Sequence, residues 1–173
     1  MRFLERARPS PDRYARSQIV LHWLVVGLLV AQFATSGAIV RTHTIHMLGQ
    51  RQDPTDLVLH NVHNKAGLAI VLLMVIRLMA RVWFGAPSPV PGIRGLGTGL
   101  ARLVHGAFYA VLIAEGTTGA IASYLWWPIS AVHVILFKVL LGLLAIHLGA
   151  ALWHAIVLRD GTLRRVSPAR LFD

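Results

Sequence analysis

The stretch Ile19-Val-Leu-His-Trp-Leu-Val-Val-Gly-Leu-Leu-Val-Ala-Gln-Phe-Ala-Thr-Ser-Gly-Ala-Ile-Val40 decides the fold. Only His22, Gln32, Thr35, Ser36 and two glycines interrupt its apolar side chains. At about 1.5 Å of rise per residue, about 20 helical residues cross a hydrocarbon core of about 30 Å. The run therefore reads as a membrane-spanning helix. A signal peptide fits less well, because the run is too long, its basic prelude covers 16 residues and no small-residue cleavage site follows.

Three more runs of the same kind follow. The second starts near Val62 and meets Arg77 and Arg81 at its exit. The third covers roughly Leu100 to Trp126 and the fourth roughly Ile129 to Leu158. The Pro/Gly-rich segment Gly85 to Gly99 separates spans two and three as a linker. Spans three and four, joined by the short Trp126-Trp127-Pro128 turn, are antiparallel neighbours with aromatics at a membrane interface. The chain of 173 residues is 55% hydrophobic and 14% charged, against about 25% charged in an ordinary soluble domain. A β-barrel would need many alternating strands of about ten residues, which this sequence lacks. The expected fold is an all-α integral membrane protein, a four-transmembrane-helix bundle over residues 17–158, with a basic segment 1–16 before it and a tail 159–173 after it.

The +10 formal charge is mostly topology. Arg2, Arg6, Arg8, Arg13, Arg16, Arg77, Arg81, Arg94, Arg102, Arg159, Arg164, Arg165 and Arg170 fall on one side of the alternating spans, and Arg41, Arg51 and Lys65 on the other. Short cytoplasmic loops retain basic residues, so both termini are expected in the cytoplasm. The segment Arg41–Asn61 then faces the periplasm. Nucleic-acid binding would want a basic stripe on a soluble fold, and no nucleic-acid partner is expected.

Cysteine is absent, which excludes disulfides, thiolate catalysis, Cys-ligated clusters and covalent haem attachment. Nine histidines remain, and an ionisable side chain inside a bilayer is a functional hypothesis by default. His133 and His147 lie fourteen residues apart on span four, about 40° short of four full turns and about 21 Å apart along the axis. They share a face at two depths. His22, near the start of span one, matches the depth of His147, and His63, near the start of span two, matches that of His133. Each pair offers two neutral imidazoles from facing helices, the way a haem iron is held bis-axially in a four-helix bundle. Zinc would want three or four clustered ligands, and histidines that merely hydrogen-bond between helices are the plainer alternative.

The segments Tyr14 to Leu24, Asn61-Val-His63 through Arg77 and Arg81, and Ala145-Ile-His147 through His154 to Leu163 resemble the bacterial cytochrome b561 family over roughly Arg13 to Pro168. That resemblance implies two non-covalent haem b groups, His22/His147 holding one iron and His63/His133 the other, with ubiquinone as electron acceptor. It also implies that His154 suits quinone reduction, which consumes protons; a propionate or interface partner is the other reading, and His105 carries the same two. The sequence departs from the family at the short connection between spans three and four and at Glu115-Gly116, where relatives tend to have an apolar residue and proline.

Arg77 and Arg81, four residues apart, share a helical face, where they serve as propionate partners or as anchors snorkelling to headgroups. His43, His46 and His60 join Arg41, Arg51 and Lys65 in an opening that would attract a small anion. Glu115 and Lys138 have similar depths and read as a structural ion pair, or as a lysine snorkelling outward, before a proton path, since Lys138 stands 140° around the helix from His133. Gly142 and Gly149 lie opposite the ligand face, where small residues let helices approach. Size and resemblance together lead to the expectation of a superoxide:ubiquinone oxidoreductase in the lipid bilayer, with superoxide arriving from the periplasm. An electron-transfer subunit docked to a periplasmic redox enzyme is one alternative, and a haem-free histidine-rich transporter the other.

Overall fold

The computed structural model describes residues 14–85, 87 and 96–171. Among them there is no strand. Four helices, α1 (Arg16–Met47), α2 (Pro54–Phe84), α3 (Leu96–Tyr124) and α4 (Ser130–Trp153), are each long and apolar enough to cross a membrane. α1 packs on α2, α2 on α3 and α3 on α4, and Phe33 of α1 meets Phe137 of α4 with ring centroids 5.8 Å apart. The chain is a multi-pass membrane bundle. Large apolar side chains such as Val30, Leu72 and Leu148 are uncovered by protein, as expected where lipid is the solvent and apolar side chains suit either face.

The helices run past the apolar stretches. α1 continues from Val40 to Met47 and α2 begins at Pro54, so the expected Arg41–Asn61 loop is helical except for residues 48–53. The sequence reading stopped the spans where polarity began, but a helix leaving the hydrocarbon keeps its backbone bonds. Asp53 secures the second helix by accepting from the Thr55 and Asp56 amides at 2.7 and 3.2 Å, with Pro54 at the first helical position. α3 likewise starts at Leu96, inside the expected linker. Most of that linker, together with Arg2, Arg6, Arg8, Arg13 and Arg94, lies outside the described residues.

A core of Val25, Ile70, Met74, Leu112 and Leu140 draws on all four helices. Leu140 is seven residues from both His133 and His147, so this apolar layer sits midway between the two histidine levels. The expected close approach at Gly142 and Gly149 does not occur within the bundle, since a Cβ at either would meet nothing within 4 Å. Helices approach instead at Gly116, where a Cβ would run into Val71 and stand 3.0 Å from the Gly67 carbonyl oxygen. α2 and α3 therefore touch backbone to backbone.

The end of α4 is irregular. His154–Leu158 forms a π-helical turn, Arg159 takes a left-handed conformation at φ 49°, and Gly161 follows at φ 77°. Two 3₁₀ turns, Leu163–Val166 and Pro168–Leu171, complete the tail. The Trp23 indole donates to the Val166 carbonyl at 2.8 Å and pins that tail to α1. The Gln18 amide donates to the Gly85 carbonyl at 3.0 Å, tying α1 to the end of α2.

Candidate functional site

The histidines gather at two levels, one toward Trp127 and one toward Arg77. At the Trp127 level, His63 of α2 and His133 of α4 lie within electrostatic reach of each other. The Thr35 hydroxyl spends its proton on the Ala31 carbonyl at 2.7 Å, so its contact of 3.1 Å with His63 Nδ1 must be one in which the ring donates. His133 Nδ1 faces the Glu115 carbonyl at 2.9 Å and donates to it. The Thr118 hydroxyl, committed to Ala114 at 2.8 Å, and the Glu115 carboxylate at 3.4 Å flank the same nitrogen. Both rings thus carry their proton on Nδ1 and leave Nε2 bare, the tautomer of a metal ligand whose other nitrogen is anchored in the protein. Gly119 makes room for His133, because a Cβ there would stand 2.9 Å from its Cε1.

At the Arg77 level, His22 and His147 lie within electrostatic reach of each other and of both Arg77 and His105. The His105 and His147 ring centroids are 5.4 Å apart and nearly perpendicular, and Phe108 packs against His147 at 5.3 Å. His105 Nδ1 donates to the Ala101 carbonyl at 2.6 Å. His22 is the exception. Arg77 Nη1, which can only donate, stands 3.1 Å from His22 Nδ1, so that nitrogen accepts. A ligand histidine carries its proton on Nδ1, so a metal on His22 would require Arg77 to move off that nitrogen. Arg77 also hydrogen-bonds Tyr109, and an anionic propionate is a fitting destination for its guanidinium. The donor set as a whole fits haem iron: two levels of imidazole, an apolar layer between them and a glycine cradle. Among the described residues no three or more His, Asp or Glu side chains converge on one point, which disfavours zinc.

Of the two readings of Glu115 and Lys138, the ion pair does not form and the lysine turns outward. Glu115 engages His133 and not Lys138, which is exposed on the outer face of α4. Its 140° offset from His133 carries it away from the interior. Glu115 Oε2 is buried with no hydrogen-bond partner among the described residues. Toward Trp127, Arg41 forms a bidentate pair with Asp56 at 2.6 and 2.9 Å, so its charge is answered locally, and Arg51 and Lys65 remain exposed. His43 stacks between His60 and Trp127, at centroid distances of 5.3 and 4.3 Å, while His46 is exposed. The His60 ring donates to Thr42 at 2.7 Å in the same way that His63 donates to Thr35.

The sequence reading missed Thr35, Thr42 and Thr118, which set the ring orientations. Their signal was a threonine buried in an apolar helix at the depth of a histidine on its neighbour. It also missed Asp160, whose Oδ2 accepts from His154 Nδ1 at 2.5 Å and whose Oδ1 accepts from the Thr162 amide at 3.0 Å. Partial burial works to raise the Asp160 pKa, but the hydrogen bonds from Thr162 and His154 outweigh it and hold the carboxyl down at about 2.

A four-helix membrane bundle with two levels of interior imidazole is the architecture of a membrane b-type cytochrome. The chain belongs to the prokaryotic cytochrome b561 family, whose family model matches residues 13–169; members bind haem b and transfer electrons in membranes. It is 29% identical over 159 residues to cytochrome b562 of Cereibacter sphaeroides, covering 91% of this chain and 96% of that one. It is 26% identical over 180 residues to a Yersinia pestis protein named probable superoxide oxidase CybB, covering 91% and 97%. Cytochrome b561 homolog 1 of Escherichia coli is 25% identical over 183 residues, covering 92% and 99%.

Proposed function

We infer that the protein carries two haem b groups, His63/His133 holding one and His22/His147 the other, and moves electrons from periplasmic superoxide to ubiquinone. The observation that carries this reading is the shared proton placement of His63 and His133, each donating through Nδ1 to a neighbouring helix, which leaves Nε2 as the lone-pair nitrogen. When bound, haem supplies a one-electron carrier at each level. The four histidines would hold the two groups, which would supply one-electron transfer to substrates beside them without a substrate binding the metal. The arginine-rich side is cytoplasmic in this reading and the Trp127 end periplasmic, so the chain joins the two faces of the inner membrane.

The substrate assignment draws support from the name of the Yersinia relative and from exposed Arg51 and Lys65 at the Trp127 end, since positive charge raises the local concentration of an anion. The balanced reaction takes two superoxide anions, one ubiquinone and two protons to two dioxygen molecules and ubiquinol. His154, with His105 nearer the His147 ring, lines the end where a quinone enters from the bilayer, and Arg77 serves a propionate. Stopped-flow superoxide pulses on purified protein test the reading: the haem b spectrum shifts to its reduced form and added ubiquinone is then reduced. Haem that stays oxidised under the pulses, yet co-purifies with a periplasmic redox subunit, would instead make the chain an electron-transfer subunit.

A further inference from the structure

We propose that Asp160 is a positioning residue that makes His154 the proton donor to ubiquinone, an inference that rests on the quinone reading above. The fourth span is regular α-helix from Ser130 to Trp153 and then leaves that pattern. α4 widens into a π-turn that begins at His154, and π-turns of this kind cluster at functional sites. Arg159 then adopts the only positive φ of any non-glycine residue among those described, a conformation that costs energy and persists where the surroundings impose it. Gly161, also at positive φ, completes the reversal. These three distortions bring Asp160 back onto the histidine six residues before it.

The carboxylate is held at both oxygens, Oδ1 by the Thr162 amide at 3.0 Å and Oδ2 by His154 Nδ1 at 2.5 Å. Its depressed pKa, about 2, keeps it an acceptor through the neutral range. His154 Nδ1 is therefore committed to Asp160, and Nε2 is left as the nitrogen that exchanges protons. The side chains are 22% and 14% exposed, open enough to recharge from water. The Trp23–Val166 hydrogen bond holds the chain beyond Asp160 against α1, next to His22, whose ring is 5.6 Å from that of Trp23. The dyad and the proposed ligand His22 thus belong to one end of the bundle.

Each turnover places two electrons and two protons on ubiquinone. For each proton, the His154 Nε2–H bond breaks as an O–H bond forms on a quinone oxygen, and water on the cytoplasmic side returns a proton to Nε2. Asp160 stays ionised and offsets the imidazolium charge between deliveries, the role of a carboxylate behind a catalytic histidine.

The test uses full-length, haem-loaded protein in nanodiscs, reduced with dithionite and mixed with ubiquinone-1, with 15N spectra of the His154 ring recorded in parallel. D160N is expected to lower kcat about tenfold or more at unchanged KM, to shift the His154 ring nitrogens away from the Nδ1–H tautomer, and to keep both haem spectra. D160E is expected to recover much of the rate. Wild-type protein that passes no electrons to ubiquinone overturns the quinone reading and this proposal with it. Wild type that reduces ubiquinone while D160N matches its kcat overturns the role of Asp160 alone. If D160N fails to fold, D160E decides: an Nδ1–H tautomer with a rate near wild type supports the dyad, and a lost tautomer with an undiminished rate overturns it.

Discussion

Replacing Gly119 with alanine probes the haem cradle with one methyl group. The added Cβ would stand 2.9 Å from His133 Cε1, 3.2 Å from Nδ1 and 3.6 Å from Nε2. Ordinary carbon contacts lie at about 3.5–4.0 Å, so the ring must withdraw by about 0.5–1 Å. Metal–ligand distances tolerate about ±0.2 Å. The shift also stretches the 2.9 Å bond from Nδ1 to the Glu115 carbonyl, so the ring would lose its anchor together with the iron proposed for it. G142A is the control, because its Cβ meets nothing within 4 Å and alanine in a helix is favoured over glycine by about 1 kcal/mol. The assay is pyridine haemochrome content per chain with the reduced-minus-oxidised spectrum. G119A should lose the His63/His133 haem or show its band displaced, while the other haem and all of G142A stay as wild type. A G119A protein with two unshifted haems would refute the placement of haem against His133.

Other substitutions separate the remaining roles. Thr35→Ala leaves His63 Nδ1 without its acceptor, and a lost partner of this kind typically weakens metal affinity about 10–100-fold; haem titration of apoprotein should show that loss at one site only. His22→Ala should abolish the Arg77-level haem and His105→Ala should spare it, although His105 also presents a bare Nε2; the opposite result in haem content would make His105 the ligand. Lys138→Leu should leave spectra and thermal stability unchanged or improved, because the side chain is exposed on an apolar face; a fall in melting temperature would mean an interior partner.

The four spans were legible because a bilayer demands about 20 apolar residues whatever the tertiary contacts. The two histidine levels were legible because depth follows from residue counting once the spans alternate. Rotation about the helices was less so. Glu115 and Lys138 share a depth, yet only Glu115 faces inward, and depth cannot report azimuth. The threonines could be placed by depth but not in role: whether a hydroxyl accepts from a neighbouring histidine depends on where its own proton goes, which here is the carbonyl one turn back. The Asp160–His154 contact depends on a widened turn and a left-handed arginine, and neither has a sequence signature. Helix ends were missed where the chain leaves the hydrocarbon at Arg41 and Asn61, since a polar helix in water looks like a loop to a hydropathy reading.

The most direct measurement of the central claim is haem stoichiometry across ligand variants of purified protein, by haemochrome assay with low-temperature EPR of the oxidised iron. Two low-spin bis-histidine signals and about two haems per chain are predicted for wild type. H133A and H147A should each keep one, losing different signals, and the double variant should keep none. A single haem in wild type, or the same signal lost from both single variants, would contradict a two-level cytochrome.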